Sequence, residues 1–466
     1  MSNPNQHAIV IGGSMAGLLA ARVLADHFER VTIIERDHLP EAAEVRNGVP
    51  QGRHLHVLLA RGMEILEQLF PNFGQELAAN GSPSVQWGKE SVTLLASGWT
   101  PIAATHVNTR SVSRAFIEWH VRSRLLKNER IQIMQGTQVD SLLTTADKSR
   151  VTGVQLRERG GSQASQTLEA DWVVDASGRT SHTPDWLESL GYQRPEQTEI
   201  NSFLGYSTRW YKRPTQFPKG IKLLLIGSRP PDSLRGGGMM EVENDQWVIT
   251  LVGVNKDYPP TDEAGFLAFT KSLVSPELYD AIKDTEPTSD IYGYQRTANQ
   301  FRHYEKLERW PEQFSVLGDA TCAFNPIYGQ GMTAGAMSAL ELDASFKEWK
   351  GRESTGLAQH FQTRLAKVLK TPWLMATGED LRYPGTVGDR PTRTDRLVQK
   401  YIDRIIRVIP GNPDVLDTFF QVSSLLQPPT ALFRPGIAMK VIGSFFSSPP
   451  PDTTVQPLTL PQSAHD

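Results

Sequence analysis

A single cysteine, Cys322, stands among 466 residues. The chain can therefore form no internal disulfide and no multi-cysteine metal centre, a composition that suits a reducing compartment. An excess of one charge is also lacking: 48 Lys and Arg stand against 51 Asp and Glu, a net charge of −3. That balance gives no reason to expect nucleic acid, whose binding calls for a strongly basic face. Long apolar runs are missing as well, and no window approaches the roughly 18 uninterrupted apolar residues of a spanning helix. The apolar stretch Ala8–Leu24 has no basic leader and carries Gly12, Gly13 and Gly17. It reads as fold rather than as an export signal. Neither an internal repeat nor a heptad run is present. A cytoplasmic protein of two or three domains is expected, with peripheral membrane contact left open.

What is there begins with a βαβ unit. His7–Gly12 is apolar and β-branched and stops at glycine; Met15–Phe28 carries small and aliphatic residues at helical spacing; Val31–Glu35 is a second strand. Leu55–Phe70 has apolar residues on one face, which predicts an amphipathic helix. Arg114–Leu126 predicts another helix, and Glu158–Ser165 an exposed hairpin loop. Between about Thr198 and Thr297 the pattern changes to strands at Phe203–Trp210, Ile221–Ile226, Gly237–Glu241 and Trp247–Val254. Phe314–Leu317 returns to buried-strand character and Met332–Trp349 reads as a long helix. A helical stretch Gln359–Val408 follows, interrupted at Pro372 and Pro384. The expected organisation is a nucleotide-binding domain in three parts (1–75, 105–190, 301–349), a sheet domain in two (76–104, 191–300), a helical region (350–446) and a flexible tail (447–466).

The first motif is Gly12-x-Ser14-x-x-Gly17, set between a strand and a helix. Gly12 permits the tight turn, Gly17 permits close approach, and the helix amino terminus offers unpaired N–H groups to a pyrophosphate. Ser14 departs from the usual middle glycine. Glu35, at the end of the second strand, lies where a carboxylate can accept from an adenosine ribose, and its charge disfavours a 2′-phosphate there. This turn alone does not choose between NAD and FAD.

The second motif is Phe314-Ser-Val-Leu-Gly-Asp-Ala-Thr-Cys-Ala-Phe-Asn-Pro-Ile-Tyr-Gly-Gln-Gly-Met-Thr. Here the chain resembles the flavoprotein monooxygenases related to para-hydroxybenzoate hydroxylase, including the branches that epoxidise or hydroxylate lipophilic substrates. The resemblance covers most of residues 1–340. It implies an α/β fold: a Rossmann-type FAD-binding domain with an inserted, mainly antiparallel sheet substrate domain and a helical C-terminal region. It implies that Asp319 accepts from the ribityl chain, that Pro326 shapes the wall beside the flavin ring, and that amides near Gly331 and Met332 stabilise charge at the flavin N1 and O2 side. Arg114 resembles family arginines near the flavin chain, and Arg46, Gln51 and Arg53 lie in a stretch similar to one that passes close to the flavin. Asp171–Ser181 looks like the family's middle motif, with Ser177 at the matching first aspartate and Pro184 at the terminal arginine. That weakens the case for direct NADH or NADPH use and leaves room for a separate flavin reductase.

The implied reaction inserts oxygen from O2 into a small lipophilic organic substrate through a C4a-hydroperoxyflavin. Reduction of an isoprenoid-like alkene, halogenation, and a non-enzymatic FAD-binding role are the alternatives; the halogenase signature Trp-x-Trp-x-Ile-Pro is missing. No acid–base side chain is assigned as catalytic, because the cofactor carries the chemistry. His54 and His56 read as polar-cavity or cap residues rather than metal ligands, Cys322 as packing, and Tyr206 as sheet core.

Overall fold

The computed structural model describes residues 6–158, 165–215, 217–351, 354–445 and 458. A five-stranded parallel sheet holds β1 (His7–Ile11), β2 (Arg30–Ile34), β3 (Ile131–Met134), β4 (Trp172–Asp175) and β5 (Phe314–Val316), in the order β5-β4-β1-β2-β3. Every residue of β1, β4 and β5 is buried, as both-face coverage of a parallel sheet requires. The cover comes from α1 (Met15–Leu24), α2 (Arg114–Leu125), α3 (Gly331–Trp349) and α4 (Leu357–Asp380). α1 packs on α3, bringing together helices some 300 residues apart in sequence.

The inserted layer is a seven-stranded sheet in which Gly205–Tyr211, Trp247–Gly253, Arg235–Glu241 and Leu223–Ile226 pair antiparallel in succession. Ser91–Leu95, from the earlier segment, joins it in parallel beside Leu223–Ile226. Three further helices, α5 (Arg393–Val408), α6 (Pro413–Ser423) and α7 (Pro435–Gly443), pack on this sheet. Ile405, Ile409, Leu416 and Phe420 there share a buried cluster with Leu223, Met240 and Val248. The fold class is the one that the sequence pattern and the resemblance imply.

Local expectations fail in two places. The helix expected over Leu55–Phe70 starts only at Ala60. The chain before it is tied to the inserted sheet: Leu55 N–H donates to Thr250 Oγ1 (3.0 Å) and Trp210 Nε1 to the Arg53 carbonyl (2.9 Å). Those bonds replace the ones a first helical turn would make. Pro372 does not interrupt its helix, which runs unbroken from Leu357 to Asp380. A mid-helix proline costs about 3 kcal/mol, offset here by burial of Leu365, Leu369 and Ala376 on either side. The loop expected at Glu158–Ser165 and the tail expected at 447–466 fall almost wholly outside the described residues.

Candidate functional site

One cavity of about 1390 Å³ is lined by Gly12, Ser14, Glu35, Arg114, Asp319, Pro326, Gly331 and Met332. Residues from opposite ends of the family-like region thus share one space, larger than the roughly 300–1,000 Å³ of a drug-sized pocket. Gly17 is not on its wall, and its role is in the turn beneath. A Cβ on Gly17 would stand 1.9 Å from the Gly12 carbonyl oxygen, and one on Gly12, whose φ is +102°, would stand 2.6 Å from the Ala176 carbonyl oxygen. Only glycine lets α1 close on β1 in this way. The second turn meets the first here. A Cβ on Gly318 (φ +63°) would lie 2.7 Å from the Ala16 side chain, and Gly335 of α3 faces the same Ala16.

Charge is concentrated at the Glu35 end. Glu35 accepts from the backbone N–H of Gly13 (2.8 Å) and of Asp37 (2.9 Å). Arg46 lies among Glu35 (3.3 Å), Asp37 (2.8 Å) and Glu118 (3.1 Å). Glu118 also receives Ser14 Oγ (2.9 Å) and Arg114 Nη2 (2.6 Å). Burial alone would raise the Glu118 carboxyl, but Arg114 and Arg46 hold it below its usual range. Ser14, engaged this way, does not cap α1, so the first-turn N–H groups of that helix stay open to an anion. Arg114 Nη1 is buried without a hydrogen-bond partner.

Around Asp319 the balance is different. Its carboxylate accepts no hydrogen bond from the described residues; burial raises its pKa, opposed by Arg179, Arg114 and Arg302. α3 starts beside it with no side-chain cap. An unmatched buried donor and an unmatched enclosed acceptor on one cavity are what a long polar ligand satisfies. Spanned by two glycine turns, this is the arrangement a dinucleotide requires, and comparison with known proteins decides which.

The family description "FAD binding domain" matches residues 5–367. The chain belongs to that family. It is an FAD-dependent oxidoreductase. Protein Rv3254 of Mycobacterium tuberculosis is 32% identical over 437 residues, covering 91% of both chains. The kynurenine 3-monooxygenase of Salinispora arenicola is 22% identical, covering 88% of this chain and 86% of its own. Among solved structures, the flavin-dependent brominase Bmp2 superposes with a TM-score of 0.66 at 15% identity, over 95% of this chain and 99% of that one. At that identity the likeness is one of fold.

The residues present fit the cofactor. Open N–H groups at α1 and the orphaned Arg114 nitrogen suit a pyrophosphate, and Asp319 suits the ribityl hydroxyls. Pro326 is held in place from outside the matched segment. Asp380, the last residue of α4, is buried and accepts from Asn325 Nδ2 (3.0 Å), Asn299 Nδ2 (2.6 Å) and Tyr328 Oη (2.8 Å). Asn325 N–H donates in turn to Asn299 Oδ1 (2.7 Å). The loop that carries Pro326 is therefore pinned at both shoulders by one carboxylate, whose pKa burial raises against these hydrogen bonds.

Other expected residues have mixed fates. Gln51 lines the cavity, whereas the Arg53 guanidinium lies over the Tyr292 ring at 4.3 Å. In the middle motif Asp175 is fully buried and taken by Ser181 and Thr183 hydroxyls (2.5 Å each). Arg179 lines the cavity with its guanidinium donating to the carbonyls of Ala298 and Phe324. His54 bonds Thr208 Oγ1 (2.7 Å) and His56 bonds the His54 carbonyl (2.9 Å). Burial pushes them down to about 3 and about 4, so both are neutral imidazoles at physiological pH. Tyr206 is buried with its hydroxyl unpartnered, and Cys322 is buried in a strand against Phe301. Glu118 was not anticipated from sequence, although its i, i+4 spacing from Arg114 is a readable signal. Nothing in the sequence signals Asp380, 55 residues from Asn325.

Proposed function

We propose that this FAD-dependent oxidoreductase is a monooxygenase that hydroxylates or epoxidises a small lipophilic organic substrate with O2. The observation that carries the reading is the wall beside Pro326. There the cavity is bounded by Phe324, Tyr294, Gly329 and Met332, with His56 held neutral by burial and the Arg179 guanidinium tied to the Phe324 carbonyl. Such a wall desolvates an apolar reactant, which suits chemistry carried by the cofactor. Bound FAD would supply electron transfer to O2 and delivery of one oxygen atom. The protein residues would do the rest: Arg114 and the α1 amino terminus hold the pyrophosphate, Glu35 the ribose, Asp319 the ribityl chain, and Gly331 and Met332 amides face charge on the flavin ring. The name of the Salinispora relative supports oxygen insertion. The reductant in this proposal is NADH or NADPH, bound directly or used by a separate flavin reductase.

The test is to reduce the FAD-loaded protein without oxygen, mix it with O2, and follow flavin absorbance with a panel of phenols and long-chain alkenes. Monooxygenation predicts a transient spectrum distinct from oxidised and reduced flavin, and a product carrying 18O from 18O2. A saturated product formed without O2 would replace the proposal with alkene reduction, and a product requiring bromide or chloride would replace it with halogenation.

A further inference from the structure

Six large apolar side chains stand exposed on one part of the molecule: Leu397 and Val398 of α5, Phe433 just before α7, Met439 and Ile442 of α7, and Phe445 after it, between 44% and 67% exposed. The elements that carry them pack side by side. Tyr401 of α5 stacks on Phe433 with ring centroids 4.4 Å apart, and Arg404, one turn on, lies 4.2 Å over the Phe445 ring. Residues 393–398, the first turns of α5, are exposed on every side, so this end of the helix stands off the body. Patches of this kind mark interaction sites.

The segment that carries these side chains is cationic. Residues 388–445 hold eight Lys and Arg against five Asp and Glu, a local charge of +3 in a chain of net charge −3. Four of the five carboxylates are engaged: Asp395 in the capping box of α5, Asp403 with Arg382, Asp414 with Lys440 and Asp417 with His106. Asp389 alone has no partner among the described residues. Arg390, Arg393, Lys400 and Arg407 have no carboxylate partner among the described residues. A standing-off amphipathic helix with protruding apolar side chains and unpaired cations matches the chemistry of an anionic bilayer surface.

We propose that α5 and α7 dock this protein onto an anionic lipid surface. It lies on the surface rather than through it: among the described residues no helix is long and apolar enough to cross a membrane. A symmetric second copy is a poorer occupant, because it would set the same unpaired cations against one another. The reading does not depend on which reaction the flavin performs.

The experiment is co-sedimentation of the FAD-loaded full chain with phosphatidylcholine vesicles, with and without 30% phosphatidylglycerol, at low salt and at 0.5 M salt. Binding to the anionic vesicles is expected, falling about tenfold or more in high salt, as the screening of separated charges requires. Two variants, Met439→Ser with Ile442→Ser and Arg393→Glu with Lys400→Glu, each lower the bound fraction several-fold while FAD content and thermal unfolding stay as in the parent. No sedimentation with anionic vesicles, or equal binding to neutral ones, overturns the proposal. So does a concentration-dependent dimer that the same substitutions dissociate, which assigns the surface to a second copy.

Discussion

At one end of the cavity Glu35 already accepts from two backbone N–H groups and Arg46 sits among three carboxylates. At the other, Asp319 accepts no hydrogen bond from the described residues, and burial raises its pKa. The first end is preorganised by protein–protein contacts, so it holds its shape before any ligand arrives. The second is completed by the ligand. Damage at the first should therefore register in folding, and damage at the second in cofactor retention.

The largest expected effect tests the shared floor of both ends. Gly17→Ala places a methyl against the Gly12 carbonyl oxygen, which forces the turn and α1 apart; a loss of at least about 3 kcal/mol in urea unfolding is expected, with FAD content falling too. Asp319→Ala sharpens the contrast: the FAD dissociation constant should rise about 10- to 100-fold, the worth of hydrogen bonds to a charged group, while the FAD-free protein unfolds no more readily than the parent. An unchanged constant by fluorescence titration rejects the assignment. Glu35→Ala should do the reverse. It strips acceptors from Gly13, Asp37 and Arg46 and should lower stability of the FAD-free protein by about 1–3 kcal/mol, with a smaller effect on FAD affinity.

Asp380→Asn keeps the shape but alters the acceptors offered to Asn299 and Asn325; a several-fold weaker FAD affinity and a shifted flavin absorption band are expected. A spectrum identical to the parent's would sink the pinning role of this carboxylate. The smallest effect concerns pH. Because the folded-state pKa of Asp319 is raised, its ionisation penalises the FAD-free fold, so its contribution is favourable in acid and is lost as pH rises through that pKa. Asp319→Asn should thus unfold at a higher temperature than the parent at neutral pH, the gap closing toward acid; a gap that widens in acid contradicts the burial.

How much of this could be read beforehand follows the same division. The turn at Gly12 and the run from Gly318 to Met332 are local patterns, and local patterns survive in sequence because backbone conformation demands particular residues there. Their meeting across Ala16 follows from a parallel sheet whose ends they share. The helical spacing before Ala60 misleads for the opposite reason: its apolar pattern is helical, but partners on the inserted sheet, at Thr250 and Trp210, take its backbone groups. Pro372 shows packing overriding a local breaker in the same way. Asp380 was invisible because a carboxylate acquires meaning only from what is folded around it.

Asp380 lies beyond residue 367, where the match to the FAD binding domain description ends. A fragment cut at that boundary would contain every recognisable flavin motif yet leave two asparagines and a tyrosine reaching for an acceptor no longer there. A carboxylate outside the matched domain thus holds a grip on the loop inside it, so a substitution there can retune the flavin's surroundings without altering a single signature residue.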